Sequence, residues 1–187
     1  MVDPHDDPIA LVPSEFDRWR EAYERERERL RTLLREHGLS DRVERIEHVG
    51  STAVPDLPAK DVVDLDLVVA DGSVRAVSRA IETDLGGTRI ENGEGWHPVF
   101  RRHGDQRFND HVFAASDPVW RVSVATRDVL RARPQLRSEY AEVKRGLAGE
   151  HDELEAYSVG QTAFVGEVLA VAREDDGIEL GFEVPEL

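Results

Sequence analysis

The segment Val62-Val63-Asp64-Leu65-Asp66-Leu67-Val68-Val69 carries two aspartates two positions apart in an otherwise apolar run. In a strand, side chains alternate between faces, so Asp64 and Asp66 project together while Val63, Leu65, Leu67 and Val69 cover the other side. Two neighbouring carboxylates repel, and one tends to keep its proton unless a cation intervenes. A divalent ion such as Mg²⁺ or Mn²⁺ lets both ionise and serve as hard oxygen ligands, the arrangement by which phosphoryl-transfer sites hold a metal against a nucleoside triphosphate. In a chain with 39 acidic residues the pair alone is weak support, because acids on an exposed sheet face are common.

A second segment gives the pair a context. His48-Val49-Gly50-Ser51-Thr52 ends twelve residues before Asp64. Glycine lets a backbone approach a phosphate closely, and the Ser51 hydroxyl with the neighbouring amides, Thr52 included, can donate to its oxygens. Lys60, one of only two lysines in the chain, precedes the acidic strand and could neutralise a phosphate. His48 could contact substrate, although a histidine at a strand end more often satisfies a backbone group. His97, His103 and His111 follow no spacing typical of metal ligands. Arg107 and Arg127 suit phosphate, but also suit pairing with the abundant acids.

These residues must be positioned by recognisable elements. Residues 1–13 read as an irregular lead-in, ordered only if it packs on the domain. Ser14 is the expected cap of a long helix with Phe16, Trp19, Tyr23, Leu30, Leu33 and Leu34 at helical spacing, stopped by Gly38. Strands are expected over Val43–Val49 and Val62–Val69, separated by the Gly-Ser turn and a loop with Pro55 and Pro58. A helix runs from Ser73 to Leu85, followed by a hairpin of Val99–Arg102 and Arg107–Ala114 around His103-Gly104-Asp105. From about Asp117 to Glu174 the pattern is helical, with breaks at Pro134 and Gly160. Residues 14–174 thus read as one domain, and 175–187 as an acidic tail without clear structure.

Composition excludes several classes. There is no cysteine, so disulfides, thiolate metal sites and cysteine nucleophiles are out. No run approaches a membrane span, and the N-terminus has no signal-peptide pattern, so a cytoplasmic protein without membrane partners is expected. A net charge of -15 repels a polyphosphate backbone and argues against nucleic acid as partner. The acidic, lysine-poor balance resembles that of proteins from a salt-rich cytoplasm, such as those of halophilic archaea. No Gly-Lys-Ser/Thr loop exists for a P-loop kinase, and Gly50-Ser51-Thr52 lacks the glycines of a nucleophile elbow.

Glu47-His48-Val49-Gly50-Ser51-Thr52-Ala53-Val54-Pro55, then Leu57-Pro58-Ala59-Lys60 and Asp64-Leu65-Asp66, resembles the signature of the GrpB (UPF0157) family. Arg127-Asp128-x-Leu130-Arg131-x-x-Pro134, Tyr140, Lys144, Tyr157 and Phe164 resemble its C-terminal helices. The resemblance spans roughly Phe16 to Ala172. It implies an α+β nucleotidyltransferase fold with a small mixed β-sheet, a long N-terminal helix and C-terminal helices. The Gly-Ser turn would take the triphosphate and the Asp-x-Asp pair the metal. A third ligand is left to Asp110 or His111, which face opposite sides of one strand. Three positions depart from the family pattern: Asp56 where glycine is usual, Asp61 for proline, and Gln161 for a lysine. The function implied is transfer of a nucleoside monophosphate to a small molecule or protein. The alternative is a non-catalytic nucleotide- or partner-binding domain, as in fusions to dephospho-coenzyme A kinase.

Overall fold

The computed structural model describes residues 9–150, 154–175 and 177–186. Its framework is a five-stranded sheet in the order β1-β2-β5-β4-β3, comprising β1 (Val43–Val49), β2 (Val62–Val69), β3 (Thr88–Arg89), β4 (Trp96–His103) and β5 (Gln106–Ala114). Only β2 and β5 run parallel, and every other pairing is antiparallel. The architecture is the expected α+β one: a mixed sheet, a 21-residue N-terminal helix and a C-terminal helical layer. Among the described residues, no helix is long and apolar enough to cross a membrane.

Alternation in β2 decides how the layers form. Val63, Leu65, Leu67 and Val69 join Phe108 and Val112 of β5 on one face. Against them pack Trp19, Tyr23, Leu30 and Leu34 of α1 (Phe16–Glu36) and Val74, Val77 and Ile81 of α2 (Val74–Leu85). The opposite face presents Val49, Val68 and Phe113 to Trp120 and Val124 of α3 (Val119–Ala132). Then α3, α4 (Pro134–Glu150) and α6 (Thr162–Glu174) enclose a further core around Val129, Leu130, Phe164, Val168 and Leu169. The short α5 (Leu154–Gly160) leads into α6. The face bearing Asp64 and Asp66 is therefore roofed by helices, where the sequence also allowed open solvent.

Several boundaries differ from the sequence reading. Ser14 does not cap α1: Glu15 occupies the N-cap without a side-chain hydrogen bond, and the Ser14 hydroxyl is buried without a partner. The hairpin is longer, because Trp96, His97 and Pro98 continue its pairing opposite Phe113, Val112 and His111. The two-residue β3 had no visible pattern; it pairs through Thr88 opposite Phe100 and Arg89 opposite Val99, and Arg89 bonds Glu82. Within the lead-in, Val12 bridges to Ala59 and packs on the main core, while residues 1–8 lie outside the described ones. The described residues of the tail form no helix or strand, yet Ile178, Leu180, Phe182 and Val184 pack on the helical core, and Phe182 meets Trp120 edge-on.

Candidate functional site

Glycine is required where β1 ends. Gly50 adopts φ +69°, and a Cβ there would lie 2.4 Å from Asp64 Oδ2. Ser51–Ala53 then form a single 3₁₀ turn, so the Ser51 and Thr52 amides, as its first donors, have no carbonyl within the turn to bond. Antiparallel pairing sets Val49 opposite Asp64 and Glu47 opposite Asp66. The turn and the acidic strand thus meet as the sequence anticipated.

Cations from the C-terminal helices hold this loop. Arg127 of α3 donates to Glu47 at 2.8 Å and to the His48 carbonyl at 2.9 Å, and Arg131 donates to the Ala53 carbonyl at 2.8 Å. Lys144 of α4, 2 % exposed, donates to Ser51 Oγ at 2.7 Å and to the Pro58 carbonyl at 2.6 Å. Burial, with Lys60 adding repulsion against the pull of Asp64, lowers the Lys144 pKa to about 7. Lys60 is lowered as well, by burial that Asp64 partly offsets.

Together these groups line a cleft of about 240 Å³, where Gly50, Ser51, Lys60, Asp64, Asn109 and Lys144 are joined by Tyr140, Tyr157 and Gln161. Gln161 accepts from Tyr140 Oη at 2.7 Å and donates to the Tyr157 carbonyl at 3.1 Å. Lys144 and Tyr140 entered the sequence reading only through family resemblance, since 93 residues separate Ser51 from Lys144 and no local pattern links them. The cue that remained was compositional: Lys144 is the second of the two lysines.

Burial raises the Asp64 pKa to about 6, opposed by a 2.8 Å hydrogen bond from Asn109 and by both lysines. Asp66 is 1 % exposed; burial raises it well above the ordinary carboxylate range, helped by Asp64 and opposed by the nearby Ser123 and Arg127. Its Oδ2 has no hydrogen-bond partner. A buried orphan oxygen beside a second carboxylate, with Gly50 leaving space that a side chain would fill, suits one divalent cation.

The parallel register of β2 and β5 distinguishes Asp110 from His111. Asn109 lies beside Asp64 and His111 beside Asp66, all on the helix-roofed face, whereas Asp110 lies beside Leu65 on the α1 side. Asp110 is therefore no third ligand. It is fully buried and ion-paired to Arg101, which also bonds Glu26 at 2.6 Å. His111 Nε2 stands 3.9 Å from Asp64 Oδ1, while Nδ1 accepts from Trp96 Nε1 at 3.3 Å. Burial lowers the His111 pKa to about 4, so the ring is neutral. An accepting Nδ1 leaves the ring proton on Nε2, which directs a donor toward Asp64 and no lone pair toward a metal. Among the described residues no group of three His, Asp or Glu is arranged to hold a metal.

His48 also departs from the expected set. It pairs with Leu65 on the α1 face, stacks on Tyr23 at 4.8 Å between centroids, and meets Thr52 Oγ1 at 3.1 Å. It supports the turn from behind, and the Thr52 side chain, 1 % exposed, is turned inward with it. Arg127, considered for phosphate, is taken up by Glu47 and Asp128.

Comparison with known proteins places this geometry. The chain is 34% identical over 171 residues to a UPF0157 protein of Halalkalibacterium halodurans, covering 89% of this chain and 83% of that one. It spans only 43% of the length of the UPF0157 protein YqkA of Bacillus subtilis, at 29% identity over 154 residues. A crystal structure of conserved protein GrpB from Enterococcus faecalis superimposes with a TM-score of 0.71 at 22% identity, covering 87% of this chain and 96% of that one. Cid1, solved in complex with its short product ApU, superimposes with a TM-score of 0.55 at 14% identity, covering 86% of this chain and 49% of Cid1. The fold is accordingly that of the nucleotidyltransferases. The family model of the GrpB protein matches residues 8–170, and this chain belongs to the GrpB family.

Proposed function

We propose that the chain transfers a nucleoside monophosphate from a nucleoside triphosphate to a small-molecule or protein acceptor, with Mg²⁺ or Mn²⁺ as cofactor. One observation carries the reading: Gly50 lies against the Asp64 carboxylate while Lys144 holds the adjoining Ser51 hydroxyl, all at a single cleft. The buried Lys144 and the half-buried Lys60 beside a Gly-Ser turn form a phosphate-binding set, and two carboxylates on the neighbouring strand form a metal-binding one. The ion, when bound at Asp64 and Asp66, supplies charge neutralisation to the phosphate oxygens. Lys60, Lys144 and the turn amides then hold the phosphate chain for in-line attack. The acceptor oxygen or nitrogen forms the new bond to the α-phosphorus, the α–β bridging bond breaks, pyrophosphate leaves, and the acceptor's proton is released.

A second reading, a nucleotide- or partner-binding domain without turnover, is favoured by one position. Asn109 stands where a further carboxylate would face Asp64, and a neutral amide adds no charge to a metal site.

Thermal melts in molar KCl with each nucleoside triphosphate and Mg²⁺ or Mn²⁺ test both. A metal-dependent rise of several degrees is expected for the parent and not for Asp64→Asn/Asp66→Asn, because a ligand that binds only the folded state stabilises it. No rise with any triphosphate would sink the transferase reading. A rise without pyrophosphate release, across a panel of hydroxyl and amine acceptors, would favour the binding domain.

A further inference from the structure

A second cavity adjoins the lysine-bearing cleft. It holds about 210 Å³ and shares Gly50, Ser51 and Tyr140 with that cleft, so one wall separates two spaces of opposite character. The first is lined by lysines, amides, hydroxyls and the Asp64 carboxylate. The second is walled by Val54, Val122, Leu130 and Val165, and Ser123 and Thr126 add hydroxyls to those of the shared Ser51 and Tyr140.

Its chemistry follows from α3. Residues 122, 123, 126, 127 and 130 share one helical face, which presents aliphatic groups at 122 and 130 and polar ones between them. No carboxylate lines the cavity, and its one cation, Arg127, has its nitrogens engaged by Glu47, Asp128 and the His48 carbonyl. A charged group would be desolvated there without a free partner, so the occupant is uncharged. The volume lies below the roughly 300–1,000 Å³ of sites that enclose whole drug-sized ligands, and suits one ring system better than a whole nucleotide.

We propose that this cavity is the nucleobase subsite: it receives the uncharged ring of a nucleotide whose phosphates lie in the adjoining lysine cleft, with Ser123 and Thr126 reading the ring edge. The proposal rests on the phosphate reading of that cleft. Aliphatic walls suit the ring faces, hydroxyls suit its edge, and the shared Ser51 wall puts ring and phosphates within the reach of one molecule.

Calorimetric titration of the full chain with inorganic tripolyphosphate and with ATP, CTP, GTP and UTP, each in Mg²⁺, tests it. At least one nucleotide is expected to bind about tenfold or more tighter than tripolyphosphate. Val165→Trp, which fills the cavity from α6, should collapse that ratio to about twofold or less while leaving the tripolyphosphate Kd within about twofold of the parent. Val122→Phe, filling it from the α3 wall, provides an independent variant, and melts establish that each is folded. A parent ratio near one overturns the proposal without any variant, as does a ratio that survives both fillings. Binding of tripolyphosphate with no preference for nucleotides removes the base subsite and leaves the phosphate reading intact. Binding of neither removes both.

Discussion

The α-carbon of Gly50 and the carboxylate of Asp64 are so close that a methyl group on the glycine would stand 2.4 Å from Oδ2. Gly50→Ala therefore has two costs: a left-handed φ, worth about 1–2 kcal/mol, and displacement of the aspartate. A loss of about 2 kcal/mol or more in denaturant unfolding is expected, together with loss of the nucleotide-dependent thermal shift. Unchanged stability and an unchanged shift would mean that the contact is dispensable.

His48 supplies a pH dependence. Burial holds its folded pKa near 3, against 6.5 for the free group, with the Arg131 and Arg127 charges adding to the effect. The folded state thus disfavours the proton. The penalty is absent above pH 6.5, grows as pH falls below it, and is complete below about 3. Between pH 7 and 5 the parent should lose about 2 kcal/mol relative to His48→Gln. Parallel stability curves for the two proteins would show that His48 titrates normally.

Asp110 should behave as a structural residue. Arg101→Met strands Asp110, fully buried, and leaves the buried Glu26 to Arg29 alone, and is expected to destabilise by about 3–5 kcal/mol. Where the variant remains folded, its metal-dependent response to nucleotide should match the parent's. A selective loss of that response with little loss of stability would return Asp110 to the site.

Asp56 is the one described residue other than glycine with positive φ, at 60°. Its carboxylate is 82% exposed and reaches Arg137 only at 3.4 Å, an ion pair of little value at the surface. Asp56→Gly should therefore raise stability by about 0.5 kcal/mol, read from the denaturation midpoint. A decrease would show that the Arg137 contact outweighs the backbone conformation.

The parts of the site that depend on chain-local pattern were legible. The Gly-Ser turn ends Val43–Val49 and an apolar run marks Val62–Val69, both with their observed bounds, and the two-residue period of a strand alone puts Asp64 and Asp66 on one face. What required tertiary register was not. Period two separates Asp110 from His111 without saying which faces Asp64; the parallel pairing of β2 with β5 decides it. His48 could not be placed behind the turn without knowing that Tyr23 stacks on it. The tail was under-read: Ile178, Leu180, Phe182 and Val184 alternate as a half-buried extended segment does, a pattern masked by the acids around it.

The single parallel pair in the sheet also joins parts of the chain that are synthesised far apart. Asp64 and Asn109 are 45 residues apart in sequence and adjacent in space, with α2, β3 and β4 intervening. Contacts of such separation form against a large loop-closure entropy and characterise slow folding steps. A growing chain that has reached only Glu94 carries β1, the Gly-Ser turn, Lys60 and both carboxylates, yet lacks β5 on the other side of Asp64 and the helices that roof it. On the proposed reading, the ligand site is therefore complete only once β5 has joined β2 and α3 and α4 clamp the loop.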